Sequence, residues 1–98
     1  MKYQVKIAEQ ALQEYEIGVA WWHVHRERTP SLLETEFLEA VGILSVQPEI
    51  GVLSSDNADV RRVLLRKSRY SIYYRVNRLE QQVEILSFWH NSREQPPI

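Results

Sequence analysis

Between Val60 and Arg93 the chain runs VRRVLLRKSRYSIYYRVNRLEQQVEILSFWHNSR, and this stretch restricts the fold more than any other. In its middle, Tyr70, Ile72, Tyr74 and Val76 alternate with Ser71, Tyr73 and Arg75. A period of two built from β-branched and aromatic side chains is the signature of a strand with one buried face. The same logic predicts strands over Val60–Arg66, Tyr70–Val76 and Gln82–Trp89. The polar segments Lys67-Ser68-Arg69 and Asn77 to Gln81 are bracketed by apolar runs, so they are predicted turns. Three strands joined by short turns make an antiparallel meander.

The rest of the chain must cover one face of that sheet. Lys2–Ile7 alternates Tyr3, Val5 and Ile7 with polar residues and predicts a short strand. Ala8–Glu27 has helical spacing, with Ala8, Leu12, Tyr15, Val19 and Trp22 forming the stripe expected to pack on the sheet. Ile17, Trp21 and Val24 fall on the opposite side. They either form a surface for a partner or lie under the second helix or a loop. A second helix is predicted from Thr29-Pro30-Ser31, with proline at the first turn and Ser31 and Glu34 in a capping-box pattern. Its stripe is Leu33, Phe37, Ala40, Val41 and Leu44, and it should stop near Gln47-Pro48. The short link between the helices predicts an antiparallel hairpin. Pro48–Asp59 is expected to be a polar, mobile loop, and the Glu94–Ile98 tail, with Pro96-Pro97, neither helix nor ladder. The expected fold is therefore α+β and two-layered, β-α-α-β-β-β. A mostly antiparallel four-stranded sheet carries a helical hairpin on one face and leaves the other partly open.

Ninety-eight residues are enough for one domain with one small core, spanning 1–98. The absence of cysteine excludes a disulfide framework and thiolate metal sites. No apolar run reaches the roughly 20 residues that cross a bilayer, and the first residues lack a leader's apolar run, so a cytoplasmic location is expected. The net charge of −1 conceals a polarised chain. Residues 1–59 hold four basic residues against ten acids, a net of −6, and residues 60–98 hold eight against three, a net of +5. One end is thus suited to an acidic partner, although helices simply richer in Glu than strands would give the same asymmetry. His23 and His25, two apart on a helix, cannot share a metal, and His90 alone is a poor zinc site, so no metal or cofactor is expected. No Gly-rich phosphate loop or Ser/His/Asp pattern is present.

Several fragments, in order, resemble the RelE/ParE superfamily of type II toxin–antitoxin toxins. They are Tyr3-Gln4-Val5, Trp21-Trp22, Glu36-Phe37, Pro48-Glu49-Ile50-Gly51, Val60-Arg61-Arg62 with Leu64-Leu65, Arg69-Tyr70, Ile72-Tyr73-Tyr74-Arg75-Val76, Ile85-Leu86 and Trp89-His90 with Ser92-Arg93. The resemblance implies a small bacterial toxin that arrests growth, serves in plasmid stabilisation systems and is neutralised by a cognate antitoxin, ParD-like or similar. It implies contact with operator DNA only through that antitoxin, and none with a membrane.

RelE-like members cut mRNA on the ribosome, with an Arg directly after the Tyr of the middle strand and a late Tyr. Here Ser71 follows Tyr70, no Tyr follows Tyr74, and Leu64 stands at a neighbouring inward position. Cleavage through the 2′-hydroxyl needs a base, an acid and a cation. If the chain were a nuclease, His90, Arg62 and Arg93 would be its catalytic set. The pattern is closer to ParE, whose members inhibit DNA gyrase without a hydrolytic site. A degenerate, non-toxic antitoxin binder is the third reading. The expected target-binding residues are Arg61, Arg62, Arg66, Arg69, Trp89, His90 and Arg93, and the expected antitoxin-binding residues are Ile17, Trp21 and Val24.

Overall fold

The protein is described by a computed structural model covering residues 2–57 and 59–92. Arg93 and the Glu94–Ile98 tail lie outside the described residues. The elements run β1 (Gln4–Ile7), α1 (Glu9–His25), α2 (Leu32–Val46), β2 (Val52–Leu53), β3 (Arg61–Leu64), β4 (Tyr70–Asn77) and β5 (Gln82–His90). The sheet order is β1-β5-β4-β3-β2, antiparallel except where β1 lies parallel to β5.

This is the expected α+β fold, with one strand more than expected. The segment 48–59, predicted as a polar loop, supplies β2, whose Val52 and Leu53 pair with Arg62 and Arg61. Two residues are too few to show a period, which is why the sequence hides the strand. β3 is shorter than the predicted Val60–Arg66. Leu65 N–H already donates to the Tyr70 carbonyl to close the next turn, and Val60 N–H is held by the Asn57 carbonyl.

The core lies between the helices and the sheet. Phe88 of β5 sits at its centre, ringed by Tyr70 (4.6 Å, stacked), Tyr15 (5.5 Å, edge-on) and Phe37 (5.5 Å, edge-on). Ile72, Tyr74, Val83, Ile85, Leu33 and Leu44 complete it. Of the stripe predicted for α1, only Trp22 is fully buried, and Leu12 is exposed. The contact line runs instead through Ala11 and Gly18, seven residues apart. A Cβ at Gly18 would come 3.1 Å from the Tyr70 hydroxyl, so small residues let the helix descend onto the sheet. A pattern of large apolar residues does not show where a helix approaches closest. Ile7, at the end of an edge strand, is likewise exposed rather than buried.

The predicted capping box does not form. Ser31 is the N-cap of α2, but its backbone (φ −98°, ψ 4°) is not extended and its hydroxyl makes no cap bond. Glu34 instead reaches His23 of α1 at 2.9 Å and ties the hairpin together. Trp22 adds a second tie, donating its indole N–H to the Thr29 carbonyl at 2.7 Å.

Candidate interaction surface

Strand register assigns the residues of the open face. Val63, Ile72 and Phe88 turn toward the core, so their neighbours in each strand turn away from it. Across β3, β4 and β5 this gives one row of Leu64, Ser71 and Trp89 and the next of Arg62 and Tyr73, while Ser87, paired with Tyr73, is fully buried and donates its hydroxyl to Glu14 of α1 at 2.8 Å. A bulge between Tyr73 and Tyr74 interrupts the ladder, and beyond it Arg75 pairs with Glu84, which pairs with Lys6. Arg75 contacts the Glu84 carboxylate at 2.8 Å, and Arg78 is bound to Glu49. The 590 Å³ cleft that Lys6, Arg75 and Arg78 help to line is therefore largely neutral in charge.

Trp89 and His90 lie on opposite faces, as strand alternation predicts. His90 pairs with Tyr70, its ring edge-on to the buried Tyr70 ring at 5.0 Å. Ser92 N–H donates to His90 Nδ1 at 3.1 Å, and the Ser92 hydroxyl lies 2.7 Å from the same nitrogen. Nδ1 is thus the acceptor of the Ser92 amide.

The turn between β3 and β4 gathers the cations. Arg66, Lys67 and Arg69 are exposed and Ser68 is buried. Arg69 has φ 67°, a conformation costly for a residue with a side chain. Its N–H donates to the Leu65 carbonyl, and its carbonyl accepts from Asn91 N–H, each at 2.9 Å. The turn is thereby joined to the residue after β5. Arg66, Arg69 and His90 share one end of the sheet, with Trp89 on its open face and Arg62 one row inward. Glu36 of α2 accepts the Lys67 and Ser68 amides at 2.9 and 2.8 Å, a contact between residues more than thirty apart that sequence reasoning did not foresee.

Arg61 is placed differently. Its guanidinium donates to the carbonyls of Glu49 (3.1 Å) and Gly51 (2.8 Å) and pairs with the Glu49 carboxylate at 3.7 Å. Gly51 N–H donates to the Tyr74 hydroxyl at 2.8 Å. A Cβ at Gly51 would stand 2.5 Å from that hydroxyl, so the latch requires glycine.

Burial raises the Tyr74 pKa above 10.0, with the Glu49 charge adding to the rise, against the lowering by the Gly51 hydrogen bond and Arg61. Burial, with Glu34, raises Tyr15 in the same direction. Above pH 10 the unfolded chain loses these protons while the fold keeps them. Stability is therefore full below pH 10 and falls as pH rises through the folded values. The expected result is a denaturation midpoint that falls above pH 10, with a shallower fall in Tyr74→Phe. An identical slope in that variant would show that Tyr74 ionises as it does in the unfolded chain.

On α1, neither α2 nor any described loop covers the second apolar set. Ile17, Trp21 and Val24 are 63%, 41% and 69% exposed. Trp21 is held in place by neighbours on its own helix. It stacks on His25 at 4.4 Å, and the Arg26 guanidinium lies 5.2 Å from its ring. His25 Nδ1–H donates to the Trp21 carbonyl at 2.9 Å. The tandem Trp pair is thus divided, one ring in the core and one on the surface. The outer side of α2 adds exposed Leu38, Ile43 and Val46, which the sequence reading passed over. Their signal was present as apolar residues off the main stripe. Among the described residues no group of three His, Cys, Asp or Glu could hold a metal, and no helix is long and apolar enough to cross a membrane.

No protein-family profile matches the chain, and no curated protein sequence matches it. Solved structures do. A chain of the chromosomal ParDE toxin–antitoxin system from P. aeruginosa superposes with a TM-score of 0.73 at 18% identity, covering 91% of this chain and 96% of that one. The RelBE2 toxin–antitoxin complex from Mycobacterium tuberculosis gives 0.66 at 22%, covering 93% and 100%. The YoeB/ParE toxin from Agrobacterium tumefaciens gives 0.63 at 16%, covering 90% and 98%. The chain has the RelE/ParE toxin fold.

Proposed function

We propose, with the RelE/ParE toxin fold as premise, that this chain is the toxin of a type II toxin–antitoxin pair. A cognate antitoxin, ParD-like, holds it inactive, and the free toxin inhibits DNA gyrase in the cytoplasm. The observation that carries the choice of target is the separation of His90 from Arg62, two of the would-be nuclease residues. RNA cleavage needs a base, an acid and a cation within hydrogen-bond reach of one phosphate. Arg62 lies on the open face, while His90 lies on the helix side with Nδ1 occupied by Ser92. The row nearest the end of the open face is Leu64, Ser71 and Trp89, which offers no proton-transfer pair. The ParDE likeness has the highest TM-score of those given above and supports the same reading. The antitoxin is supported by the uncovered face of Ile17, Trp21 and Val24, and by the naming of two of the similar structures as toxin–antitoxin systems. Operator DNA is reached only through the antitoxin.

Expression without antitoxin tests the proposal. Growth should stop with filamentation and a DNA-damage response, the purified chain should block gyrase supercoiling, and ribosome-bound mRNA should stay intact. Discrete codon-dependent cuts in mRNA, abolished by His90→Ala, would instead establish an mRNA endonuclease.

A further inference from the structure

We propose that Glu36 is the positioning residue of the basic target-binding surface, an inference that rests on the function proposed above. The turn crowds Arg66, Lys67 and Arg69 into four residues, and their mutual repulsion favours a spread, mobile loop. Arg69 must also be held at φ 67°. Glu36 opposes both tendencies. One carboxylate oxygen accepts the Lys67 amide and the other the Ser68 amide. Such charge-assisted bonds are among the stronger ones available to a backbone amide. The anchor itself is firm, because the adjacent Phe37 is buried among the rings around Phe88. Ser68 provides no substitute, since its buried hydroxyl has no hydrogen-bond partner. Glu36 thereby ties the turn that carries three cations, through the Lys67 and Ser68 amides, to a helix packed on the core.

Charge and geometry make opposite predictions when Glu36 is altered. Glu36→Gln removes a negative charge beside three positive ones, so binding to any polyanion by charge alone should strengthen. The same change leaves one oxygen where two amides need acceptors, so a surface that depends on shape should weaken. Glu36→Asp keeps the charge and is one methylene too short to reach both amides.

The experiment compares the full-length wild type with both variants in three measurements: amide hydrogen exchange, elution from heparin, and gyrase inhibition. In both variants the Lys67 and Ser68 amides should exchange at least about tenfold faster, while core amides are unchanged. Glu36→Gln should leave heparin at higher salt than wild type and Glu36→Asp at the same salt. Both should lose about tenfold or more in inhibitory potency. Unchanged exchange at the two amides in both variants overturns the proposal, because the turn is then held by something else. A gain in potency that follows the gain in heparin affinity also overturns it, because charge alone is then sufficient. If wild type fails to inhibit gyrase, the proposed function falls, and the exchange rates still decide whether Glu36 holds the turn. Should Glu36→Gln fail to fold, Glu36→Asp carries the same comparison.

Discussion

Phe88→Ala is expected to lower the stability of the fold by about 3–5 kcal/mol, the range for deleting a buried aromatic side chain. The ring is almost fully buried and touches Tyr15 of α1, Phe37 of α2 and Tyr70 of β4. Both helices and β4 therefore lose a contact with β5 at once, and three large rings cannot close over the hole. Domains of this size are stable by about 5–15 kcal/mol, so the loss is a large fraction of the whole. Urea denaturation at neutral pH measures it, and the melting temperature should fall by at least about 12 °C. A loss below about 1 kcal/mol would mean that the four-ring cluster is not the centre of the core.

The second large effect is on binding. Under the proposed function, Trp21→Glu should weaken antitoxin binding by more than about 2 kcal/mol, roughly thirtyfold in Kd, as expected for a central aromatic anchor. The ring is 41% exposed in the isolated chain yet ordered by His25 and Arg26, so little freedom is lost when a partner covers it. Ile17 and Val24 flank it by one turn on either side. An antitoxin segment that orders on binding would lay its apolar residues there. Folding should survive, because the neighbouring Trp22 is the buried member of the pair. Wild-type affinity by calorimetry would remove this face from the interface, and an unfolded Trp21→Glu chain would place the ring in the core.

What the sequence discloses here depends on how local the cause is. The meander is legible because strand alternation and turn composition are properties of adjacent residues. The exposed Trp21 face is legible because helical spacing separates it from Trp22. The descent of α1 through Ala11 and Gly18 is not, since small residues carry little hydrophobic signal and act by what they permit. The capping box fails for a related reason: the motif is a pattern of residue types, and the backbone angles of Ser31 decide whether it forms. Arg61 reads as one of a row of sheet cations, while its guanidinium is committed to Glu49 and Gly51. Glu36 reads as part of a helix's polar side, and its partners lie in a different element. Of the surface named from sequence, Arg62, Arg66, Arg69, Trp89 and His90 are described and lie toward one end of the sheet, and Arg93 lies outside the described residues.

The parallel pairing of β1 with β5 has a consequence for the order of assembly. Gln4 to Ile7 find their partners only at Gln82 to Ile85, across most of the chain. Contacts so distant in sequence close late, because the intervening loop must first lose its freedom. On the ribosome, β1 therefore waits as an unpaired strand until the meander has been made. By then α1, with Ile17, Trp21 and Val24 uncovered, has already emerged. Under the proposed function, an antitoxin that recognises this helix can engage the nascent chain before the basic turn and β5 exist, so capture can precede completion of the toxin.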